Sequence, residues 1–150
     1  MEFLYWLTRQ FSFDGDMASM VNYITWYASL EKPFFAPPSW AFGLAWGIVY
    51  PLIGLALVWT LWLFLKKRIP MGFVWLFVLN MALNFSFTPV LIVTRDNTLI
   101  SLMIMLVLGT LAWLMVFAWR FSKVIFWLLI PYLVWGTFAT VLQLSITAMN

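Results

Sequence analysis

The residues best suited to hold a ligand in this sequence are two asparagines within an otherwise apolar stretch. Asn80 and Asn84 are four residues apart, so both side chains lie on one face of a helix. An amide in apolar surroundings needs a hydrogen-bonding partner, which is either a neighbouring helix or a bound molecule. The sequence leaves both roles open for each asparagine.

Two stripes of residues are suited to form the walls of a pocket. One combines aromatic, small and amide side chains at spacings of three and four residues: Tyr132, Trp135, Gly136, Ala139 and Gln143. The other places Trp46 and Tyr50 beside three glycines, at positions 43, 47 and 54. Either stripe alone is typical of helix packing, because small residues let a neighbouring helix approach closely. Together they favour a pocket for a planar apolar molecule.

A proline-rich segment precedes these walls. Pro33, Pro37 and Pro38 each fix φ and remove a backbone donor, which excludes a continuous helix over 31–38. Ser39 is a candidate N-cap for the helix that follows. We expect residues 26–39 to form a stiff lid loop, whose principal residues are Trp26, Tyr27, Lys32, Pro33, Pro37 and Pro38.

The composition disfavours enzyme chemistry. The 150 residues include no cysteine and no histidine, which excludes thiol chemistry, histidine-based zinc sites, histidine-ligated haem and histidine general bases. The long apolar segments contain no Asp, Glu, Lys or Arg, so a proton relay or a carboxylate pair within them is excluded. We therefore predict no catalytic residue, no metal site and no obligatory cofactor.

The same composition predicts an all-α integral membrane protein, with lipid as a partner. Hydrophobic residues make up 65% of the chain and charged residues 9%, which a soluble domain of this size does not need. Apolar runs longer than the roughly 18 residues of a span predict four transmembrane helices, at about 40–65, 71–93, 98–119 and 124–148. Short connections predict a compact bundle, with Asp96 or Asn97 as the N-cap of the third span.

The first 25 residues contain no convincing span. Asp14-Gly15-Asp16 breaks the apolar pattern, and neither half approaches the roughly 20 residues that a span needs. We expect 1–25 to be a peripheral segment or a degenerate first helix, from a truncated or misassigned start. Residues 26–150 then form the membrane domain.

Charges predict the orientation in the membrane. The loops at 66–70 and 120–123 contain five basic residues and no acidic one, whereas the loops at 31–39 and 94–97 balance basic against acidic residues. The positive-inside rule places 66–70 and 120–123 in the cytoplasm, of a bacterial cell in our interpretation. Basic residues beside membrane spans indicate topology rather than nucleic-acid binding.

Four segments resemble the TspO/MBR family, the tryptophan-rich sensory proteins related to the mitochondrial translocator protein, or peripheral benzodiazepine receptor. The resemblance covers 26–150 and lies in Trp26-Tyr27 with Leu30-x-Lys32-Pro33 and Pro37-Pro38; Phe42-x-x-x-Trp46-x-x-x-Tyr50; Ala82-Leu83-Asn84 with Pro89; and Pro131-Tyr132-Leu133-x-Trp135 with Phe138-Ala139. It implies a five-helix bundle, often a homodimer, that binds porphyrins, haem-related tetrapyrroles and sometimes sterols or drug-like molecules. It also implies slow light-driven porphyrin breakdown by pocket tryptophans as a side activity.

Transferred to matching positions, the family pocket is lined by Trp46, Tyr50, Asn84, Phe87, Trp135 and Ala139, with Trp26, Tyr27 and Pro33 in the lid. The chain departs from the family pattern at its missing first helix, at Phe87 where Trp is common, and at Gln143 where Asn is common. The C-terminal sterol-associated pattern is also missing, so sterol binding is not implied.

We therefore predict a membrane-embedded binding or sensory protein for tetrapyrroles or similar planar ligands. Its predicted ligand contacts are Trp46, Tyr50, Asn80, Asn84, Phe87, Trp135, Ala139 and Gln143. Stacking on tryptophan needs no metal ligand, so the lack of histidine is compatible with porphyrin binding. Two alternatives are a small transporter of such ligands and a structural module that dimerises through its glycine-rich faces.

Overall fold

A computed structural model of the chain describes residues 13–150, which form five α-helices. They are α1 (Phe13–Ser29), α2 (Ser39–Leu65), α3 (Met71–Thr94), α4 (Asn97–Phe121) and α5 (Lys123–Met149). Helices α2 to α5 are each long and apolar enough to cross a membrane. The all-α integral membrane fold is thereby confirmed, and the four predicted spans agree with these helices to within two residues at each end.

Helix α1 differs from the prediction for the start of the chain. It runs without interruption through Asp14, Gly15 and Asp16, where the sequence predicts a break. Aspartate and glycine each lower helix stability by only about 0.5–1 kcal/mol, which is too little to end a helix that packs against a neighbour. The structure does not describe residues 1–12, so the expectation for this part of 1–25 stays a prediction.

The ends of the helices follow local capping chemistry. Asp96 is confirmed as an N-cap, since its carboxylate accepts hydrogen bonds from the backbone N–H groups of Thr98 and Leu99. At the start of α2 the N-cap is Pro38, with no side-chain bond, so the prediction of Ser39 as N-cap is wrong. Proline suits this position because its fixed φ matches the extended backbone there and it has no N–H to satisfy.

The helices pack into a closed ring that positions the candidate site. Helix α2 contacts α3 and α5, and α4 contacts α3 and α5, while α1 packs against α3. The connections alternate between two ends of the bundle: the lid end, with the loops at 30–38 and 95–96, and the basic end, with 66–70 and Ser122. Fully buried core residues from all four of these helices meet between them, including Ala56, Phe77, Leu111 and Leu129.

Candidate functional site

The two predicted walls face each other across the contact between α2 and α5. The rings of Trp46 and Trp135 meet edge to face, with centroids 6.4 Å apart. Phe42 also meets Trp135 edge to face at 5.6 Å, and Trp46 lies 6.3 Å from Tyr132. Phe42 and Trp46 share a face of α2 because they are four residues apart, and Tyr132 and Trp135 share a face of α5 at a spacing of three. We call these four rings the aromatic cluster.

One amide joins three helices beneath the aromatic cluster. The hydroxyl of Tyr50 on α2 donates to Asn84 Oδ1 at 3.2 Å, and Asn84 Nδ2 on α3 donates to the hydroxyl of Tyr132 on α5 at 3.0 Å. Asn84 is 7% exposed and Tyr132 is 1% exposed, so both are shielded from solvent and lipid. Tyr50 stacks on the other side against Trp46 at 4.8 Å. The amide therefore orients both tyrosines, and through them the aromatic cluster.

The indole N–H of Trp135 is a buried donor in the aromatic cluster that lacks an acceptor among the described residues. Its Nε1 atom is buried and has no hydrogen-bonding partner among the residues that the structure describes. Buried indole N–H groups usually have such a partner, and leaving one unsatisfied costs roughly 1–3 kcal/mol. Stacking surfaces beside a free donor are suited to bind a flat molecule that carries an acceptor on its edge.

The predicted lid is divided between a helix and a shorter loop. Trp26 and Tyr27 belong to α1, so the lid loop covers 30–38 rather than 26–39, and both residues are half-buried on the helix. The non-helical stretch predicted from the three prolines is confirmed. Lys32 connects the two parts, because its ammonium lies 4.8 Å from the centre of the Tyr27 ring and donates to the carbonyl of Leu30.

The lid loop is held against the end of α5 by contacts that the sequence does not indicate. Backbone N–H of Glu31 donates to Asn150 Oδ1, and Asn150 Nδ2 donates to the carbonyl of Glu31, both at 2.9 Å. Farther along the loop, Phe35 meets Phe138 with centroids 6.4 Å apart, and Phe138 in turn lies 5.4 Å from Trp135. The loop is thus connected to the aromatic cluster through a continuous series of rings.

Asn80 hydrogen-bonds to α4, whereas Asn84 hydrogen-bonds to α2 and α5. Its Nδ2 donates to the carbonyl of Val107 at 2.9 Å and to Thr110 Oγ1 at 2.8 Å, both on α4, and the residue is fully buried. Of the two roles that the sequence leaves open, these contacts are those of an interhelical hydrogen bond. Asn80 Oδ1 has no partner among the described residues.

The other predicted contacts are spread over the lid half of the bundle. Phe87 and Ala139 are half-buried on α3 and α5. Gln143 Nε2 donates to Thr147 Oγ1 at 3.2 Å, and Thr147 shares a 2.7 Å hydrogen bond with Ser101 of α4. Gln143 thus belongs to a polar network between α4 and α5, one turn from Ala139 on the chain.

Several contributors to the site were not among the predicted contacts. Tyr132 was noted in the α5 stripe, but its bond to Asn84 could not be inferred because it depends on how α3 meets α5. Phe42 is four residues from Trp46, and Phe138 is three residues from Trp135. These spacings place each pair on one helix face, so both phenylalanines could have been predicted from the sequence. Nothing in the sequence pairs Glu31 with Asn150, which are 119 residues apart.

A groove with a volume of about 430 Å³ lies elsewhere, between α3 and α4 near the basic end. Its lining residues include Trp75 and Trp113 and none of the aromatic cluster. In the aromatic cluster itself, the rings occupy the space between α2 and α5 by contacting one another. A ligand in the aromatic cluster would have to displace or separate those rings. The groove shares no lining residue with the aromatic cluster, so the two are separate sites.

The ring of spanning helices and the aromatic cluster define a class: small polytopic membrane proteins with a tryptophan-lined site between helices. The model of the TspO/MBR family matches residues 6–149. The chain belongs to the TspO/MBR family, as the resemblance implies, and the match begins about 20 residues before the segments that carry it.

Relatives from three different organisms support this family membership. The tryptophan-rich protein TspO of Bacillus cereus is 36% identical over 84% of this chain and 81% of its own. The tryptophan-rich protein TspO of Archaeoglobus fulgidus is 35% identical over 92% of this chain and 88% of its own. The human translocator protein is 34% identical over 85% of this chain and 76% of its own. Of these three names, the human one is that of a translocator, and none is that of an enzyme.

Proposed function

We propose that this chain binds a tetrapyrrole, or a similar planar apolar molecule, in the aromatic cluster beneath the lid loop, as a sensory protein. The observation that carries the proposal is the Trp46–Trp135 pair with its buried, unpartnered indole N–H among the described residues. A flat ligand offers a face for one indole to stack on and an edge for the other to meet, and its carbonyl or carboxylate oxygens offer the missing acceptor.

The surrounding contacts support a ligand held by stacking and hydrogen bonds. Asn84 and the two tyrosine hydroxyls bring polar groups to the inner side of the aromatic cluster, while the walls remain apolar. Pockets of this kind, largely apolar with a few directed polar groups, are typical of small-molecule sites. Because the chain has no histidine or cysteine, the proposal includes neither axial haem ligation nor an obligatory cofactor. Slow porphyrin photo-oxidation by the pocket tryptophans is proposed only as a side activity.

Entry of a ligand requires the lid loop and the rings to move. The loop is held to α5 by the Glu31–Asn150 hydrogen bonds and by Phe35 against Phe138. These contacts are few and lie at the lid end, so they can open without disturbing the core around Phe77. We propose that opening of this loop admits the ligand.

Titration of the purified protein with protoporphyrin IX, followed by the absorbance of the porphyrin, tests the proposal. The double variant Trp46→Phe/Trp135→Phe removes the indole faces and the free N–H while keeping aromatic rings in place. We expect it to lose about tenfold in affinity, which corresponds to the loss of one hydrogen bond and of part of the stacking area.

A matched control is Trp75→Phe/Trp113→Phe, which changes two exposed tryptophans in the groove between α3 and α4. We expect this control to bind protoporphyrin IX like the parent. Equal affinity of the parent and the Trp46/Trp135 variant would refute the site, and loss of affinity in the control alone would place the porphyrin in the groove.

A small transporter of such ligands is the second candidate, because a relative named translocator protein covers most of the chain. Flux of protoporphyrin across sealed vesicles that contain the protein, measured against empty vesicles, distinguishes the two. Flux that depends on the protein and is lost with Trp46→Phe/Trp135→Phe supports transport through the same site. Binding without flux supports sensing.

The proposal also includes a homodimer in a bacterial cell membrane, with 66–70 and 120–123 in the cytoplasm. The basic composition of these two loops supports the orientation. Exposed glycines on α2, Gly43, Gly47 and Gly54, have open space beside them and offer a surface for close approach of a second helix. A structural module that only dimerises would show this association and no porphyrin binding.

A further inference from the structure

The groove between α3 and α4 follows about two turns of each helix. It is lined by apolar and aromatic residues from Pro70 to Leu79 on one side and from Trp113 to Phe121 on the other. The ten residues from Pro70 to Leu79 correspond to a length of about 14 Å along a helix. A groove of that length with an opening along its side accommodates an acyl chain better than a compact molecule.

A ladder of rings forms the α4 wall of the groove. Trp113 stacks on Phe117 at 6.3 Å, and Phe117 stacks on Phe121 at 6.2 Å, because the three residues recur every four positions. Phe73 of α3 meets Phe121 edge to face at 5.9 Å and joins the two walls at the bottom of the groove. The wall is thus continuous along the groove and contains no charged group.

The α3 wall leaves the groove open. Gly72 has no atom within 4 Å of the position that a Cβ would take, so it marks unfilled space at the basic end. Trp75 is 64% exposed and Trp113 is 60% exposed, although both border the groove. In a spanning protein, surfaces at this depth lie against lipid.

Basic residues are close in sequence to both walls of the groove at its basic end. Lys66, Lys67 and Arg68 precede Pro70, which lines the groove, and Arg120 precedes Phe121, which also lines it, although the Arg120 side chain itself lines a neighbouring groove with Trp119 and Phe126. All four basic residues are exposed. Basic residues beside a groove between spanning helices attract the phosphate of anionic lipids.

We propose that the groove holds one acyl chain of an anionic glycerophospholipid from the surrounding bilayer, with its phosphate bound by the basic residues of the loops at 66–70 and 120–123. The exposed basic residues near this end favour an anionic lipid over a neutral lipid or a second copy of this chain, because only an anionic headgroup pairs with them. The inference is independent of the proposed function, since the groove shares no residue with the aromatic cluster.

The test measures lipids retained by the full-length protein in native mass spectrometry, after extraction from vesicles of equal parts phosphatidylglycerol and phosphatidylcholine with identical palmitoyl and oleoyl chains. We expect the parent to retain phosphatidylglycerol about tenfold better than phosphatidylcholine. Gly72→Leu fills the groove and should abolish that retention, whereas Ala28→Leu, at an exposed residue of α1 that does not line the groove, should not.

A second variant does not depend on the packing of the groove. Arg68→Gln/Arg120→Gln keeps every lining residue and should lose most of the preference for phosphatidylglycerol. Equal retention of the two lipids by the parent, or undiminished preference in Gly72→Leu or in the arginine variant, overturns the proposal. A change in the ratio of monomer to dimer in Gly72→Leu, with lipid retention unaltered, overturns it in favour of a second copy as the occupant.

Discussion

Glu31 and Asn150 are joined by a pair of hydrogen bonds, both 2.9 Å long, that connect the lid loop to the end of α5. The side-chain amide of Asn150 bonds Glu31 as a second peptide group would. Its oxygen accepts from the backbone N–H of Glu31, and its nitrogen donates to the backbone carbonyl of the same residue. Asn150 Nδ2 also donates to the carbonyl of Ile146, which fixes the side chain on its helix. Together with the ring contact at Phe35, the pair holds the lid loop to α5.

Replacing this amide should loosen the lid loop. In Asn150→Ala, the backbone N–H of Glu31 loses its acceptor, so we expect hydrogen–deuterium exchange at Glu31 to be about fivefold to tenfold faster, for a loss of about 1 kcal/mol or slightly more. Protoporphyrin IX should also dissociate faster if the loop controls entry. Ser145→Ala is a control on the same helix, since the hydroxyl of Ser145 bonds only its own helix, to Val141. Unchanged exchange at Glu31 in Asn150→Ala would contradict the tethering role.

Asn80 and Asn84 should respond differently to the same change. Each alanine variant removes two interhelical hydrogen bonds, so we expect each to lower the free energy of unfolding by roughly 1–3 kcal/mol. Only Asn84→Ala disturbs the tyrosines beside the aromatic cluster, so it alone should weaken protoporphyrin IX binding. Thermal unfolding in detergent and porphyrin titration measure the two effects separately. A similar loss of affinity in Asn80→Ala would show that the ligand reaches α4.

Lys67 is held in the left-handed conformation, with φ at 55°, where α2 ends. The backbone N–H of Arg68 donates to the carbonyl of Leu63 and that of Lys67 to Phe64, as in helix ends that favour glycine at this position. The conformation costs a lysine about 1–2 kcal/mol, which the greater freedom of glycine in the unfolded chain offsets in part. We expect Lys67→Gly to raise the free energy of unfolding by about 0.5–1 kcal/mol.

The control for this change is Lys66→Gly, which removes the same charge at a residue with φ of −80°. We expect no gain there and a small loss, because glycine only adds freedom to the unfolded chain. Thermal unfolding of the parent and the two variants, under the same conditions, measures these changes in the free energy of unfolding. Equal stability of both would mean that the left-handed residue carries no strain.

The orientation can be read with single cysteines, because the chain has none of its own. Phe34 is fully exposed in the lid loop, and Lys66 is exposed at the basic end. In intact bacteria, an impermeant maleimide should label Phe34→Cys and should label Lys66→Cys only after the membrane is permeabilised. Labelling of Lys66→Cys in intact cells would reverse the orientation and place the lid loop in the cytoplasm.

The sequence by itself determined where the spans lie and where they stop. Long apolar runs, prolines and charged turns act through local chemistry: the hydrocarbon thickness sets the span length, and capping side chains such as Asp96 set the ends. The lid prolines and the facing stripes with Trp46 and Trp135 were predictable for the same reason, since spacing along a helix decides which residues share a face.

Only the tertiary structure decided which neighbouring helix each of those faces contacts. Helices α2 to α5 are apolar all round, because lipid covers the outside, so no polar face marks the inside as it does in a soluble bundle. Asn80 and Asn84 share a helix face, yet one bonds α4 and the other bonds α2 and α5, since each lies opposite a different neighbour. The bond between Glu31 and Asn150 depends likewise on the ring closing, which brings the end of α5 to the lid loop.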